Sequence, residues 1–148
     1  MQDITGFGLE LRLLTSVTFP GSGIIITQYA DDTDGLDVPS LQVGDSAMGL
    51  NGDLITWSKA NPLKVNLSVI AGSKDDQNLS ILLEVNRPGR GKILPIDIIT
   101  MNITYPQGNF VQLINGAITD GAPFSAVSSS GRLKSKTYNF TFENRIGG

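Results

Sequence analysis

Apolar side chains alternate with polar ones along several stretches of the chain, and this period of two constrains the fold more than any other feature. Along residues 63–71, the apolar positions are Val65, Leu67 and Val69. Such alternation is typical of a strand that buries one face in an antiparallel sheet. Similar patterns predict strands over residues 7–14, 96–105, 110–119 and 132–143.

One helix is expected between these strands. Ser73 can begin it by accepting a hydrogen bond from the backbone N–H of Asp76, and Leu79 and Leu82 would face the sheet. The 17 glycines and seven prolines favour short strands joined by turns. The pattern predicts a mainly β fold with about seven to nine strands, a two-sheet β-sandwich or small barrel with one flanking α-helix. We expect residues 1–148 to form a single domain.

Three expectations concern particular strands. The stretch from Ile24 to Tyr29 is apolar on both faces at its start, which predicts a central strand. Residues 40–43 and 54–57 are predicted to be short strands, and residues 145–148 are expected to fray.

The stretch from Gly44 to Ala71 is expected to meet another protein, and residues 40–57 are predicted to project as a hairpin. Asn51-Gly52 favours a tight turn with positive φ. Trp57 is the single tryptophan, and we interpret it as a core or interface anchor in preference to a platform for ligand stacking. The predicted inter-subunit contact residues are Gly44, Asp45, Met48, Gly49, Asn51, Gly52 and Trp57.

Cysteine and histidine are both absent from the sequence. Disulfides and thiolate metal sites are therefore excluded, and the commonest general base is missing. Catalysis would have to use carboxylates, or Ser with Lys. The adjacent acids Asp31/Asp32 and Asp75/Asp76 have ordinary explanations as a turn and a helix start. We expect no enzymatic activity, no catalytic or metal-binding residue and no cofactor.

Two loops were compared with ligand-binding motifs. With Gly35 at position six of an EF-hand loop, positions one and twelve fall on Ala30 and Leu41, where carboxylates are required. A looser calcium site formed by Asp31, Asp32, Asp34 and Asp37 stays an alternative to a solvated acidic turn. Residues 87–92 lack the residues of a phosphate-binding loop, so we interpret them as a basic turn.

Charge is distributed unevenly along the chain. The net charge of -3 combines an excess of acids in residues 1–53 with an excess of bases in residues 54–148. This asymmetry suits head-to-tail packing of copies, although folding could also interleave the two parts. The sequence shows no secretory signal and no apolar run long enough for a membrane span.

The order and spacing of the motifs resemble the tail tube proteins of contractile-tailed bacteriophages. The acidic loop is followed by GDSAMG at residues 44–49, Asn51-Gly52 and WSKAN at residues 57–61. The helix begun by Ser73, GAIT at residues 116–119 and KTYNFTF at residues 136–142 complete the pattern.

This resemblance implies a structural subunit that closes hexameric rings, which stack into a tube for DNA ejection inside a contractile sheath. The implied partners are copies of the chain, the tail sheath protein, baseplate and tail terminator proteins, and the tape-measure protein and genomic DNA in the lumen. The implied location is the virion tail, after assembly in the host bacterial cytoplasm. Residues 40–57 and 120–131 would supply contacts between subunits and rings.

Two alternatives stay open. One is the tube subunit of a related injection machine, such as a type VI secretion system or an R-type pyocin. The other is a host-receptor-binding β-sandwich module of a tail fibre, which would present an exposed aromatic cluster or a metal loop.

Overall fold

The structure, a computed structural model, describes residues 8–18, 21, 23–31, 34–89 and 97–147. Within these ranges it has nine strands and one helix, α1 (Lys74–Asn86). The strands are β1 (Glu10–Thr15), β2 (Ile24–Ile26), β3 (Leu36–Asp37), β4 (Gly44–Met48), β5 (Leu54–Ser58), β6 (Leu63–Val69), β7 (Ile99–Thr104), β8 (Phe110–Gly121) and β9 (Lys136–Gly147). Strands, together with isolated bridges, account for 48% of the described residues. The mainly β prediction with one helix is confirmed.

Seven strands form one curled antiparallel sheet in the order β2-β1-β7-β8-β9-β6-β3, and β4 and β5 form a separate two-stranded sheet. The residues that follow β2 hydrogen-bond to β6 and so join the two ends of the curled sheet. There the Ile70 N–H donates to the Gln28 carbonyl at 3.1 Å, and the Ala30 N–H donates to the Ser68 carbonyl at 3.0 Å. The large sheet therefore forms a closed barrel, which protects edges that would otherwise be free to pair with other chains.

The inward-facing residues of the barrel form the core, as their alternation predicts. Val65, Leu67 and Val69 are buried, and they are joined by large side chains from the other strands. These are Leu11, Leu13, Ile99, Met101, Ile103, Tyr138, Phe140 and Phe142. The Phe142 ring lies so close to β8 that a Cβ on Gly116 would come within 2.2 Å of it, so only glycine fits there.

Helix α1 begins as the sequence predicts. The Ser73 hydroxyl accepts a hydrogen bond from the Asp76 N–H at 3.2 Å. Leu79 and Leu82 are fully buried and pack on the core. The helix ends at Asn86, two residues before Pro88, which cannot continue the hydrogen-bonding pattern.

Three predicted details are wrong. β2 is not buried on both faces, because Ile26 faces the barrel core but Ile25 is 42% exposed; β2 itself lies at one end of the sheet order, and only the residues after it bond to β6. The strand expected over residues 40–43 starts instead at Gly44. Residues 145–147 do not fray, because they continue β9 and pair with Val111–Leu113 of β8. Half of the predicted basic turn at residues 87–92, namely residues 90–92, lies outside the described residues.

Candidate assembly surface

The β4–β5 hairpin leaves the barrel as a separate antiparallel pair, with Asp45 opposite Trp57 and Met48 opposite Leu54. Its tip is a tight turn in which the Gly52 N–H donates to the Gly49 carbonyl at 3.0 Å. Gly52 has a φ of 86°, which favours glycine. The predicted positive φ is therefore found at Gly52 and not at Asn51. The prediction that this hairpin projects is confirmed by the exposure of nearly all its residues.

Both faces of the hairpin carry exposed apolar side chains. Met48 (66% exposed) and Leu54 (65%) share one face, whereas Ile55 (53%) and Trp57 (48%) share the other. Leu50 is fully exposed at the tip. Trp57 is thus outside the core. Its predicted role as a core anchor is therefore wrong, and its role as an interface anchor stays a prediction. An isolated two-stranded hairpin is marginal in water, and contiguous exposed apolar surface marks an interaction site.

The seven residues predicted to contact other subunits all lie on this hairpin. Gly44, Asp45 and Met48 belong to β4, and Trp57 belongs to β5. Gly49, Asn51 and Gly52 form the turn between the strands. The same hairpin carries three further exposed apolar residues that the sequence prediction did not include, Leu50, Leu54 and Ile55.

A second apolar surface lies on the connection between β8 and β9. Phe124 is 78% exposed, and Val127 and Leu133 form an isolated bridge in the same segment. Arg132 forms an ion pair with Asp31 at 3.0 Å, which ties this segment to the acidic loop. The predicted contact segment, residues 120–131, therefore begins as the end of β8 and continues as an exposed loop.

A cavity of about 820 Å³ lies between the base of the hairpin and one end of the barrel. Residues 38–42 and 61–62 of the hairpin base form one side. The other side is formed by the ends of four barrel strands, including Val65 and Leu113. Lys64 and Arg145 also line the cavity, and among the described residues no acid does.

The acids at the start of α1 have structural partners. Asp75 accepts hydrogen bonds from the Thr27 and Gln28 N–H groups at 2.7 and 2.8 Å, and so joins the helix to the chain that closes the barrel. Asp76 accepts the Tyr138 hydroxyl at 2.8 Å and lies 3.4 Å from the Lys136 Nζ. These buried acids hold the fold together, which supports their interpretation as part of a helix start.

Burial is the main cause that raises the pKa of Tyr138 above its ordinary value, and the nearby Asp76 carboxylate adds to the increase. The Tyr138 hydroxyl also shares a 2.8 Å hydrogen bond with the Ser80 hydroxyl. Tyr138 is therefore protonated in this cluster and serves as a hydrogen-bond donor.

Asp97 joins three parts of the chain. Its Oδ1 accepts hydrogen bonds from the Val17 and Thr18 N–H groups at 2.8 and 2.9 Å. Its Oδ2 accepts the Thr18 hydroxyl and the Asn86 amide. Burial alone would raise the pKa of Asp97, but these hydrogen bonds together hold the pKa below its ordinary value of 3.8.

We expect acid to weaken the fold through Asp97. Because the folded-state pKa is lowered, its stabilising contribution is complete above the unfolded-state value of 3.8 and is lost as the pH falls through the folded-state pKa. The free energy of unfolding in urea should fall more between about pH 5 and pH 3 for the unchanged chain than for Asp97→Asn, which is already less stable at pH 7. Equal losses in both proteins would contradict this role.

Within the described ranges, no group of three or more His, Cys, Asp or Glu residues could hold a metal ion. Asp31 instead pairs with Arg132, and this hydrogen-bonded ion pair lowers its pKa. Asp32 of the alternative calcium site lies outside the described residues. A membrane span would need a longer and more apolar helix than the described part of the chain contains.

Three solved structures share the fold. A sheath/tube terminator of an extracellular contractile injection system has a TM-score of 0.55 at 11% identity, covering 100% of this chain and 98% of that chain. The anti-feeding prophage cap, a tube-terminating cap, gives 0.53 at 12%, covering 100% and 92%. A chain of a contractile injection system sheath–tube complex gives 0.55 at 12%, covering 99% and 91%. No curated protein gives a significant match.

A family model described as tail fiber protein gp32 matches residues 2–146, nearly the whole chain. This match and the shared fold confirm the resemblance to contractile phage tail proteins. They also support a structural, tail-associated role. The chain therefore belongs to the tail fiber protein gp32 family.

Proposed function

We propose that this chain is a single-domain structural subunit of a phage tail tube, which self-assembles into stacked hexameric rings. The channel of the tube would conduct DNA during ejection inside a contractile sheath. The observation that carries the proposal is the β4–β5 hairpin, whose two faces and tip are apolar and exposed. A surface of this kind needs neighbours on both sides, as it would have between the copies of an assembly.

The proposed partners follow from this location in the tail. Copies of the chain would form the rings, the sheath protein would surround them, and baseplate and terminator proteins would meet the two ends of the tube. The lumen would hold the tape-measure protein and then the genomic DNA. Assembly would take place in the bacterial cytoplasm, and the function would be non-enzymatic.

Negative-stain electron microscopy of the purified chain over a range of concentrations tests the proposal. Open-bored tubes of stacked six-subunit rings are the expected result. Single rings that do not stack would contradict a tube subunit and indicate a terminator, the role that two similar structures have in their own assemblies. If tubes form, the neighbouring genes would distinguish a phage tail from a type VI secretion system or a pyocin.

The second candidate function is a host-receptor-binding module of a tail fibre, which the description of the matching family favours. Under this function, Trp57 and Phe124 would be exposed aromatic residues that stack on sugars. A monomer at every concentration, together with specific binding in a glycan screen, would support this function in place of the tube.

A further inference from the structure

We propose that the cavity at the base of the hairpin is the socket for the hairpin tip of a second copy of this chain. The inference rests on the proposed self-assembly and specifies which two surfaces meet. We define the tip as residues 48–54. The socket is the cavity between residues 38–42, residues 61–65 and the adjoining ends of β7, β8 and β9.

The socket has the chemistry of a site for an apolar occupant. Its floor includes Val65, Ile103 and Leu113, which belong to the barrel core, and its outer side includes Val38 and Leu41, which are 60% and 45% exposed. A cavity of about 820 Å³ is large enough for several side chains. An occupant would therefore extend the core and also cover apolar residues that the single chain leaves in water.

The tip offers the matching shape and charge. Met48, Leu50 and Leu54 are exposed apolar side chains at its end. The hairpin residues 44–58 include two acids, Asp45 and Asp53, and no base. Lys64 and Arg145 supply two bases to the socket, and the part of its lining that the structure describes includes no acid. Opposite charges around an apolar contact favour this pairing and fix its orientation.

The other exposed apolar segment fits the socket less well. The loop with Phe124 also carries the bases Arg132 and Lys134. Asp31 compensates the charge of Arg132, but Lys134 would approach Lys64 and Arg145 and would be repelled by them. Charge therefore selects the hairpin tip over this loop as the occupant.

The tip cannot occupy the socket of its own chain. β4 has five residues, and a strand rises about 3.3 Å per residue, so the tip lies about 17 Å from the hairpin base. The contact must therefore join two copies through different surfaces. Such heterologous contacts produce closed rings or continuous stacks, which is the geometry that a tube requires.

Site-specific cross-linking tests the pairing directly, because the chain has no cysteine. Two variants would be mixed during assembly: Leu50→Cys at the tip and isotopically labelled Leu41→Cys at the socket. The control partner is Ile81→Cys, at an exposed position on α1. After treatment with a short bis-maleimide, mass spectrometry should detect at least ten times more cross-linked peptide for the tip–socket pair than for the tip–helix pair.

A charge exchange gives a second, independent measurement. Asp53→Lys and Lys64→Glu should each reduce assembly at least tenfold. An equimolar mixture should assemble, because each tip then finds a socket of opposite charge on the other variant. A mixture that assembles no better than the separate variants would overturn the pairing.

The experiments distinguish a failure of the tip–socket pairing from a failure of the proposed tube function. If the unchanged chain forms tubes but the tip–socket cross-link is no more abundant than the control, the socket is wrong and the tube function stands. If the unchanged chain forms neither rings nor tubes, both proposals fail.

Discussion

Replacing Asp76 by asparagine should lower the free energy of unfolding by about 3–5 kcal/mol, the largest stability effect expected from a single polar substitution in this chain. Asp76 is 3% exposed, and its carboxylate is the anionic partner of the buried Lys136. The variant would leave the Lys136 charge uncompensated in the barrel. It would also place an amide donor near the Gly72 N–H, which now donates to Asp76 Oδ2 at 2.9 Å.

Urea unfolding followed by far-ultraviolet circular dichroism measures this loss, at a protein concentration below that of assembly. The matched control is the double variant Asp76→Asn with Lys136→Met, which removes the orphaned charge and should recover part of the loss. The Lys136 ammonium also lies 3.4 Å from the Ser80 hydroxyl, so recovery should be incomplete. A double variant no more stable than the single variant would show that the charge pair is not the cause.

Local signals account for the parts of the fold that the sequence predicts correctly. The alternation around Val65 and the capping by Ser73 depend on residues close together in the chain, and both agree with the final fold. β6 and α1 could therefore be predicted. Neither pattern specifies which strands pair, and the apolar start of residues 24–29 likewise could not place β2 in the sheet order.

Interactions between distant residues explain what the sequence could not reveal. Asp76 lies 62 positions from Tyr138, its hydrogen-bonding partner, and Asp97 lies 80 positions from Val17. From sequence, Asp75 and Asp76 could only be interpreted as residues that favour a helix start. Burial in the barrel gives both carboxylates additional partners and makes them structurally important.

The hairpin was predictable for a different reason. Asn51-Gly52 and the short flanking strands form a local unit that does not need the barrel. Its apolar residues do not show which surface will cover them, because β-strand patterning does not distinguish a core from an interface. The exposure of Trp57 removes the core interpretation, and the contact residues themselves stay a prediction.

Replacing Met48, Leu50 and Leu54 together by serine should nearly abolish assembly and leave the fold of the single chain unchanged. These side chains are 66%, 109% and 65% exposed, so they contribute little to the stability of the monomer. Complete burial of one such side chain contributes about 1.5–3 kcal/mol, and every 1.4 kcal/mol changes an equilibrium constant about tenfold. The concentration needed for assembly should therefore rise at least about 100-fold.

Sedimentation over a concentration series measures the assembly midpoint, and thermal unfolding of the dilute protein shows whether the fold is kept. Ile81→Ser is the matched control, because Ile81 is 50% exposed on α1, away from the hairpin. It removes a similar apolar area from the surface and should leave the midpoint within about threefold of the unchanged chain. Unaltered assembly by the triple variant would mean that the hairpin is not the surface that joins the copies, whereas a lowered thermal midpoint would mean that its apolar residues support the barrel.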